Sequence, residues 1–86
     1  MAVKLSEVKV TEAATALNTA VDHGVTLRVR NLSTEDGVDI GGSAVKTTKG
    51  WALAKEASDT FELDAGDVLY AVAAAETEVT VAVLST

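Results

Sequence analysis

The chain has 86 residues, a net charge of −6 and no cysteine. Its length predicts a single domain, and the missing cysteines exclude disulfides and cysteine-based zinc sites. The negative charge argues against binding to nucleic acid or to an anionic membrane surface, because both require clusters of Lys and Arg.

The apolar residues are mostly Ala, Val and Leu, with one Phe, one Tyr and one Trp. Such a core is shallow, since aromatic side chains bury the largest areas, about 150–250 Å² each. Small folds without disulfides or metals commonly gain stability from partner subunits, so the composition favours a homo-oligomer. The first residues lack the apolar core of a signal peptide, and no apolar run approaches the roughly 20 residues that span a bilayer. Synthesis in a cytoplasm is therefore expected.

The chain divides into an N-terminal strand or arm, residues 1–12, and a single β domain, residues 13–86. Within the first segment the apolar positions change phase, which predicts a strand interrupted by a bulge near Ser6 and Glu7. The apolar positions concerned are Val3, Leu5, Val8 and Val10. Residues 13–17 carry no apolar stripe, and they are consistent with either a short strand or an irregular arm.

The clearest strand covers residues 25–32, where apolar and polar residues alternate strictly at first. Arg28 and Arg30 share its outer face and would suit an anion. In an acidic chain we instead expect them to pair with Asp or Glu on a neighbouring strand, at about 0.2–1 kcal/mol each. The turn before this strand contains His23, the chain's one histidine, and a lone histidine in a turn is assigned no role.

An acidic loop follows, with Glu35, Asp36 and Asp39 close together in the sequence. Their spacing lacks the ligand ladder of a calcium loop, so a solvated acidic turn is favoured. Residues 38–40 are a predicted short strand that runs into a Gly-Gly-Ser segment, residues 41–43. That segment lacks the further glycines and the lysine of a phosphate-binding loop, so it predicts a bend or bulge where another part of the chain approaches closely.

The second half of the chain contains three further predicted strands. Residues 60–64 alternate, residues 68–75 are apolar in both phases, and residues 77–84 place valines on one face. A strand that is apolar in both phases is covered on both faces, and we attribute one of these covers to another subunit. The total of about seven or eight short strands predicts an all-β fold, a small antiparallel β-sandwich or barrel that is oligomeric.

The sequence offers little for catalysis. A Ser-His-Asp triad would have to use His23, and no serine has the surroundings of a nucleophile elbow. Carboxylates suited to glycoside hydrolysis are plentiful, but they fall in turns or on the polar phase of strands. We therefore expect no enzyme activity, no cofactor and no metal.

Several motifs occur in an order that is similar to that of a known group of proteins. They are Ala14-Thr15-Ala16-Leu17, Arg30-Asn31-Leu32-Ser33, Ile40-Gly41-Gly42-Ser43-Ala44-Val45, Thr47-Thr48, Gly50-Trp51-Ala52-Leu53 and Leu63-Asp64-Ala65-Gly66-Asp67-Val68-Leu69-Tyr70-Ala71-Val72-Ala73-Ala74. Over residues 13–84 the chain resembles small β-structured virion proteins of tailed bacteriophages, whose pattern includes Ile-Gly-Gly-Ser-x-Val-Thr-Thr. One departure is Lys46, inserted between the valine and the first threonine, which leaves the conformation of residues 43–50 open.

The resemblance implies a virion structural protein: a capsid decoration (cementing) protein, or the shell-binding base of a head fibre. Its implied partners are the major capsid protein and further copies of itself, with a trimer expected. A tail or head–tail connector protein is one alternative, and a carbohydrate-binding module that uses Trp51 and Tyr70 is another. The candidate interface residues are Val3, Leu5, Val8, Val10, Val45, Trp51, Tyr70 and Val72.

Overall fold

A computed structural model describes residues 4–46 and 50–85 of the chain. These residues contain eight β-strands and no helix. The strands are β1 (Lys4–Val10), β2 (Thr15–Ala16), β3 (Val25–Asn31), β4 (Val38–Gly41), β5 (Trp51–Leu53), β6 (Ser58–Leu63), β7 (Tyr70–Val72) and β8 (Val79–Ser85). The predicted all-β class and the predicted number of strands are confirmed.

The strands form two four-stranded antiparallel sheets in a sandwich-like arrangement. Sheet 1 has the order β1-β8-β3-β6, and sheet 2 has the order β2-β7-β4-β5. Sheet 1 contains the long strands, while β2, β5 and β7 of sheet 2 have only two or three residues each. Side chains that point inward from both sheets form one apolar cluster, which is the core of the domain.

Strict alternation places the inward side chains of sheet 1. Leu27 and Val29 of β3 are fully buried, as are Val79 and Val81 of β8. The residues between them point outward, including the exposed Arg28. The alternation that was predicted for residues 25–32 is therefore confirmed over β3.

The bulge predicted near Ser6 and Glu7 is wrong. β1 pairs with β8 residue for residue, from Lys4 opposite Ser85 to Val10 opposite Val79. The apolar residues change phase because Leu5 points to the outer face of sheet 1, whereas Val10 points into the core. Residues 4–10 are thus an edge strand of the domain itself.

The strand predicted for residues 68–75, with both faces buried, is shorter than expected. Its outer face is covered by another segment of the same chain and not by another subunit. Only Tyr70–Val72 is a strand, and Val72 shares a cleft with Val45. Val45 lies over two glycines: an added Cβ would be 3.2 Å from its Cγ2 at Gly41 and 2.7 Å at Gly50. The close approach predicted at the Gly-Gly pair is therefore found at Gly41, and the loop after it folds back onto the outer face of sheet 2.

Asn31 is a fully buried polar residue, and the sequence motif that contains it predicts no structural role for it. Its Nδ2 donates to the backbone oxygens of Asp36, at 2.9 Å, and Leu53, at 3.3 Å. Its Oδ1 accepts from the backbone N–H of Ser33 at 2.9 Å. One side chain therefore ties the acidic loop after β3 to the end of β5 and satisfies three buried or partly buried backbone groups.

Candidate interaction surface

The eight candidate interface residues do not lie on one surface. Leu5 and Trp51 are exposed, at 68% and 63%, but they belong to different sheets. Val8 and Tyr70 are half-buried. Val10, Val45 and Val72 are buried within the single chain, and Val3 lies outside the described residues. Of the described candidates, Leu5 and Trp51 are therefore the ones whose side chains are open to a partner.

The expected pairing of Arg28 and Arg30 with acidic residues on neighbouring strands is wrong. Arg28 lies opposite Thr60 and Leu84. Arg30 lies opposite Ser58 and Ala82. Within residues 4–46 and 50–85, the one ion pair joins Lys9 Nζ to Glu78 Oε1, at 3.9 Å. Both guanidinium groups consequently lie on the outer face of sheet 1 without an acidic partner among the described residues.

These arginines border a shallow apolar cleft of about 270 Å³ on the outer face of sheet 1. It is lined by Leu5, Arg28, Arg30, Ser58, Ala82 and Leu84. Leu84, 37% exposed, is the residue that the sequence analysis missed. Alternation could have found it, because the buried Val81 and Val83 place Leu84 on the opposite face.

Trp51 joins the two sheets at one seam. Its indole Nε1 donates to Asp59 Oδ2 at 3.1 Å. Trp51 belongs to β5 and Asp59 to β6, the edge strands of sheets 2 and 1. The ring is thereby held in one orientation while more than half of its surface remains exposed.

A second cleft, of about 290 Å³, opens at one end of the domain between the sheets. Its apolar lining includes Leu17, Leu27 and Val83, and its polar lining includes Asn18. Asn18 accepts a hydrogen bond from Leu69 N at 2.7 Å and donates one to the backbone oxygen of Asp67 at 3.1 Å. The polar groups of Asn18 therefore serve the fold.

The described residues contain little chemistry beyond these surfaces. No three His, Asp or Glu side chains among them are close enough together to hold a metal ion. His23 Nδ1 lies 2.9 Å from the oxygen of Gly24, a local contact within its own turn. None of the described residues forms a helix that is long and apolar enough to cross a membrane.

No known protein family, curated protein or solved structure matches this chain. The grounds for assigning a function are therefore the order of its sequence motifs and the surfaces described above.

Proposed function

We propose that this protein is a structural component of a tailed-bacteriophage virion, specifically a capsid decoration protein that binds the outer surface of the shell. The observation that carries the proposal is the ordered set of motifs, from the strand ending in Asn31 to the segment around Tyr70, which resembles such proteins. The partners are the major capsid protein and further copies of the chain, as a homotrimer assembled at a symmetry point of the shell. The protein is made in the bacterial cytoplasm and resides on the capsid exterior.

The architecture supports this role in two ways. A cementing protein works by contact, so it needs a rigid scaffold with apolar groups on its surface. Here the scaffold is two hydrogen-bonded sheets, and the exposed apolar groups include Leu5, Trp51 and Leu84. The net charge of −6 suits the outside of a shell, because an acidic surface facing packaged DNA would be repelled.

Imaging of particles tests the proposal directly. Purified protein is added to shells that lack it, and the reconstructed density is compared with that of untreated shells. We expect additional density at symmetry-related positions over the whole capsid surface. Density confined to the tail or to the connector vertex, or no added density at saturating protein, contradicts the capsid assignment.

Truncation of residues 1–12 is unsuited to this test, because it removes a strand of the domain. Val10 is fully buried, and all of β1 is paired with β8. Substitution at exposed positions separates attachment from folding. Trp51→Ser, away from the outer face of sheet 1, is expected to reduce occupancy on the shell. Thr34→Ala, at an exposed loop position, serves as the control that leaves it unchanged.

A carbohydrate-binding module is a second candidate, and the geometry of Trp51 is what favours it. Protein sites for sugars present aromatic rings to solvent, and this ring is 63% exposed and fixed by Asp59. A glycan array decides between the two. Binding that is lost in Trp51→Ala supports the module, whereas no binding at any glycan leaves the virion proposal as the sole candidate.

A further inference from the structure

The outer face of sheet 1 carries opposite charges on the two strands that flank β8. The pairing registers place Glu7 of β1, Ala82 of β8 and Arg30 of β3 in one row across the sheet. The adjacent row contains Leu5, Leu84 and Arg28. Glu7 and Arg30 are both exposed, and strands about 4.8 Å apart separate them by roughly 10 Å, so neither neutralises the other within one chain.

From this arrangement we infer that the outer face of sheet 1 binds the same face of a second copy through a two-fold contact centred on β8. A two-fold axis between the copies, running along β8, exchanges β1 and β3 because they lie on opposite sides of that strand. Under this rotation each row of side chains in one copy faces the same row in the other copy. Ala82 and Leu84 then meet their counterparts, and Glu7 of each copy faces Arg30 of the other.

The remaining side chains of the face fit the same arrangement. Leu5 falls over the aliphatic stem of Arg28, where a long side chain can cover apolar surface while its charge stays in water. Lys9, the other charge on the outer face of β1, falls opposite Leu32, which is 40% exposed. Within the rows of Glu7 and Leu5 no like charges oppose each other, so this part of the face is complementary to itself, as an isologous contact requires. Glu78, just before β8, comes opposite its own equivalent, and its pair with Lys9 at 3.9 Å offsets that repulsion.

A second copy explains the face better than an unrelated acidic partner does. An acidic partner would be attracted by Arg28 and Arg30 of β3. The same partner would be repelled by Glu7 of β1, on the other side of β8. The two-fold contact pairs the positive side chain of Arg30 with the negative side chain of Glu7. It occurs twice per dimer, so each complementary pair contributes twice to association.

The size of the face makes the contact weak. Three strands about 4.8 Å apart and about 20 Å long cover roughly 300 Å² of sheet plane. A standard stable interface buries about 800 Å² on each partner, so the dimer forms only at high protein concentration. Two sheets packing face to face at about 10 Å leave the charge pairs at the rim, where added salt weakens them.

Sedimentation equilibrium on the full chain tests the contact. Between roughly 10 μM and 1 mM protein the 8.8 kDa chain is expected to pass from monomer to dimer. Arg30→Glu and Glu7→Arg alone should each raise the dimer dissociation constant about tenfold or more, because each creates two like-charge pairs. An equimolar mixture of the two variants should dimerise as the unmodified chain does, since every facing pair is again opposite in sign.

Matched controls carry the same charge changes elsewhere. Lys55→Glu and Glu35→Arg, both at exposed loop positions, should leave the dissociation constant unchanged. A chain that stays monomeric throughout overturns the contact, as does a mixture of variants that fails to recover. Loss of self-association in Arg30→Glu but not in Glu7→Arg also overturns it and indicates an acidic partner instead.

The contact goes beyond the proposed virion role and does not depend on it. A trimer that also used the two-fold contact would assemble six copies, so even-numbered species remain the expectation. If light scattering gives a trimer that neither salt nor the charge variants enlarge or disrupt, the two-fold contact is wrong. The imaging of decorated shells is unaffected by that result.

Discussion

At the scale of single residues, the position of Val45 determines which glycines can be substituted by a residue with a Cβ. It packs over Gly41 and Gly50, and an added Cβ at Gly50 would also lie 3.1 Å from Cβ of Asp39 and 3.3 Å from the backbone oxygen of Ile40. Gly42, next to Gly41, has no atom within 4 Å of an added Cβ. Neither Gly41 nor Gly50 has a positive φ, so the space beside them, and not their backbone conformation, is what requires a glycine.

Substitution at these positions tests that reading. Gly50→Ala is expected to lower the free energy of unfolding by about 1–3 kcal/mol, because the new methyl group overpacks the site. Gly42→Ala should change it by no more than about 0.5 kcal/mol. Urea denaturation measures both, and equal effects at the two positions would contradict the packing argument. In a Val45→Ala background the cost of Gly50→Ala should be smaller, because the shortest contact, 2.7 Å from Val45 Cγ2, is then absent.

Asn31 gives a second prediction at this scale. Asn31→Ala leaves the backbone oxygens of Asp36 and Leu53 and the N–H of Ser33 without their buried partner. The expected loss of unfolding free energy is about 1–3 kcal/mol or more. Thr34→Ala, at an exposed position in the same loop, should cost almost nothing. Thermal melts of the two variants measure the difference. Equal melting temperatures would mean that the hydrogen bonds of Asn31 do not stabilise the fold.

At the scale of elements, three turns share one conformation, with a positive φ at the third residue. That residue is Gly66 in one turn, at 85°, but Glu56 and Glu76 in the others, at 60° and 61°. In the turn at Glu76, Thr77 N donates to Ala74 O at 3.1 Å. A side chain in this region costs about 1–2 kcal/mol, so two of the three turns are strained.

Glu76→Gly should therefore stabilise the protein. Relief of the left-handed strain outweighs the roughly 0.4–1 kcal/mol that glycine costs through the unfolded chain, which gives a net gain of about 0.5 kcal/mol. Gly66→Ala should have the opposite sign. Paired melting temperatures provide the measurement, and a stabilising Gly66→Ala would show that the turn geometry is wrong.

β1 provides a test of whether the N-terminal segment is part of the fold. Val10 is fully buried and Leu5 is 68% exposed, although both belong to the same strand. Val10→Ala should cost about 1.5–3 kcal/mol of unfolding free energy, whereas Leu5→Ala should cost almost none in dilute solution. Equal small effects in urea denaturation would mean that this segment behaves as a detached arm.

At the scale of the whole molecule, uncompensated charge is the dominant electrostatic feature. The chain has 13 acidic and 7 basic residues, and one ion pair joins any of the described ones. Self-repulsion of this kind disfavours the compact state, and salt at roughly 0.5 M screens it to within about 5 Å. We expect the melting temperature to rise by a few degrees with sodium chloride; a fall would mean that attractive pairs dominate.

The sequence predicted the elements that obey a simple period and missed those that depend on distant contacts. The alternation around Leu27 and Val29 was sufficient to place β3 and the core. The bulge in β1 was wrong because periodicity cannot tell an exposed Leu5 from an inward one. The cover of Val72 by Val45 and the ties made by Asn31 connect residues that are far apart in the chain, and no local pattern encodes them.

The loop that lays Val45 across sheet 2 also gives the molecule a closed side and an open side. Sheet 2 has part of its outer face occupied by its own chain, while the cleft on sheet 1 is uncovered. Building blocks with two equivalent open faces add to one another indefinitely and form fibres. A block with one open face stops growing as soon as that face is used. In a dimer formed through the proposed two-fold contact, the packing of Val45 against Gly41 and Gly50 leaves part of the outer face of sheet 2 closed to further face-to-face addition.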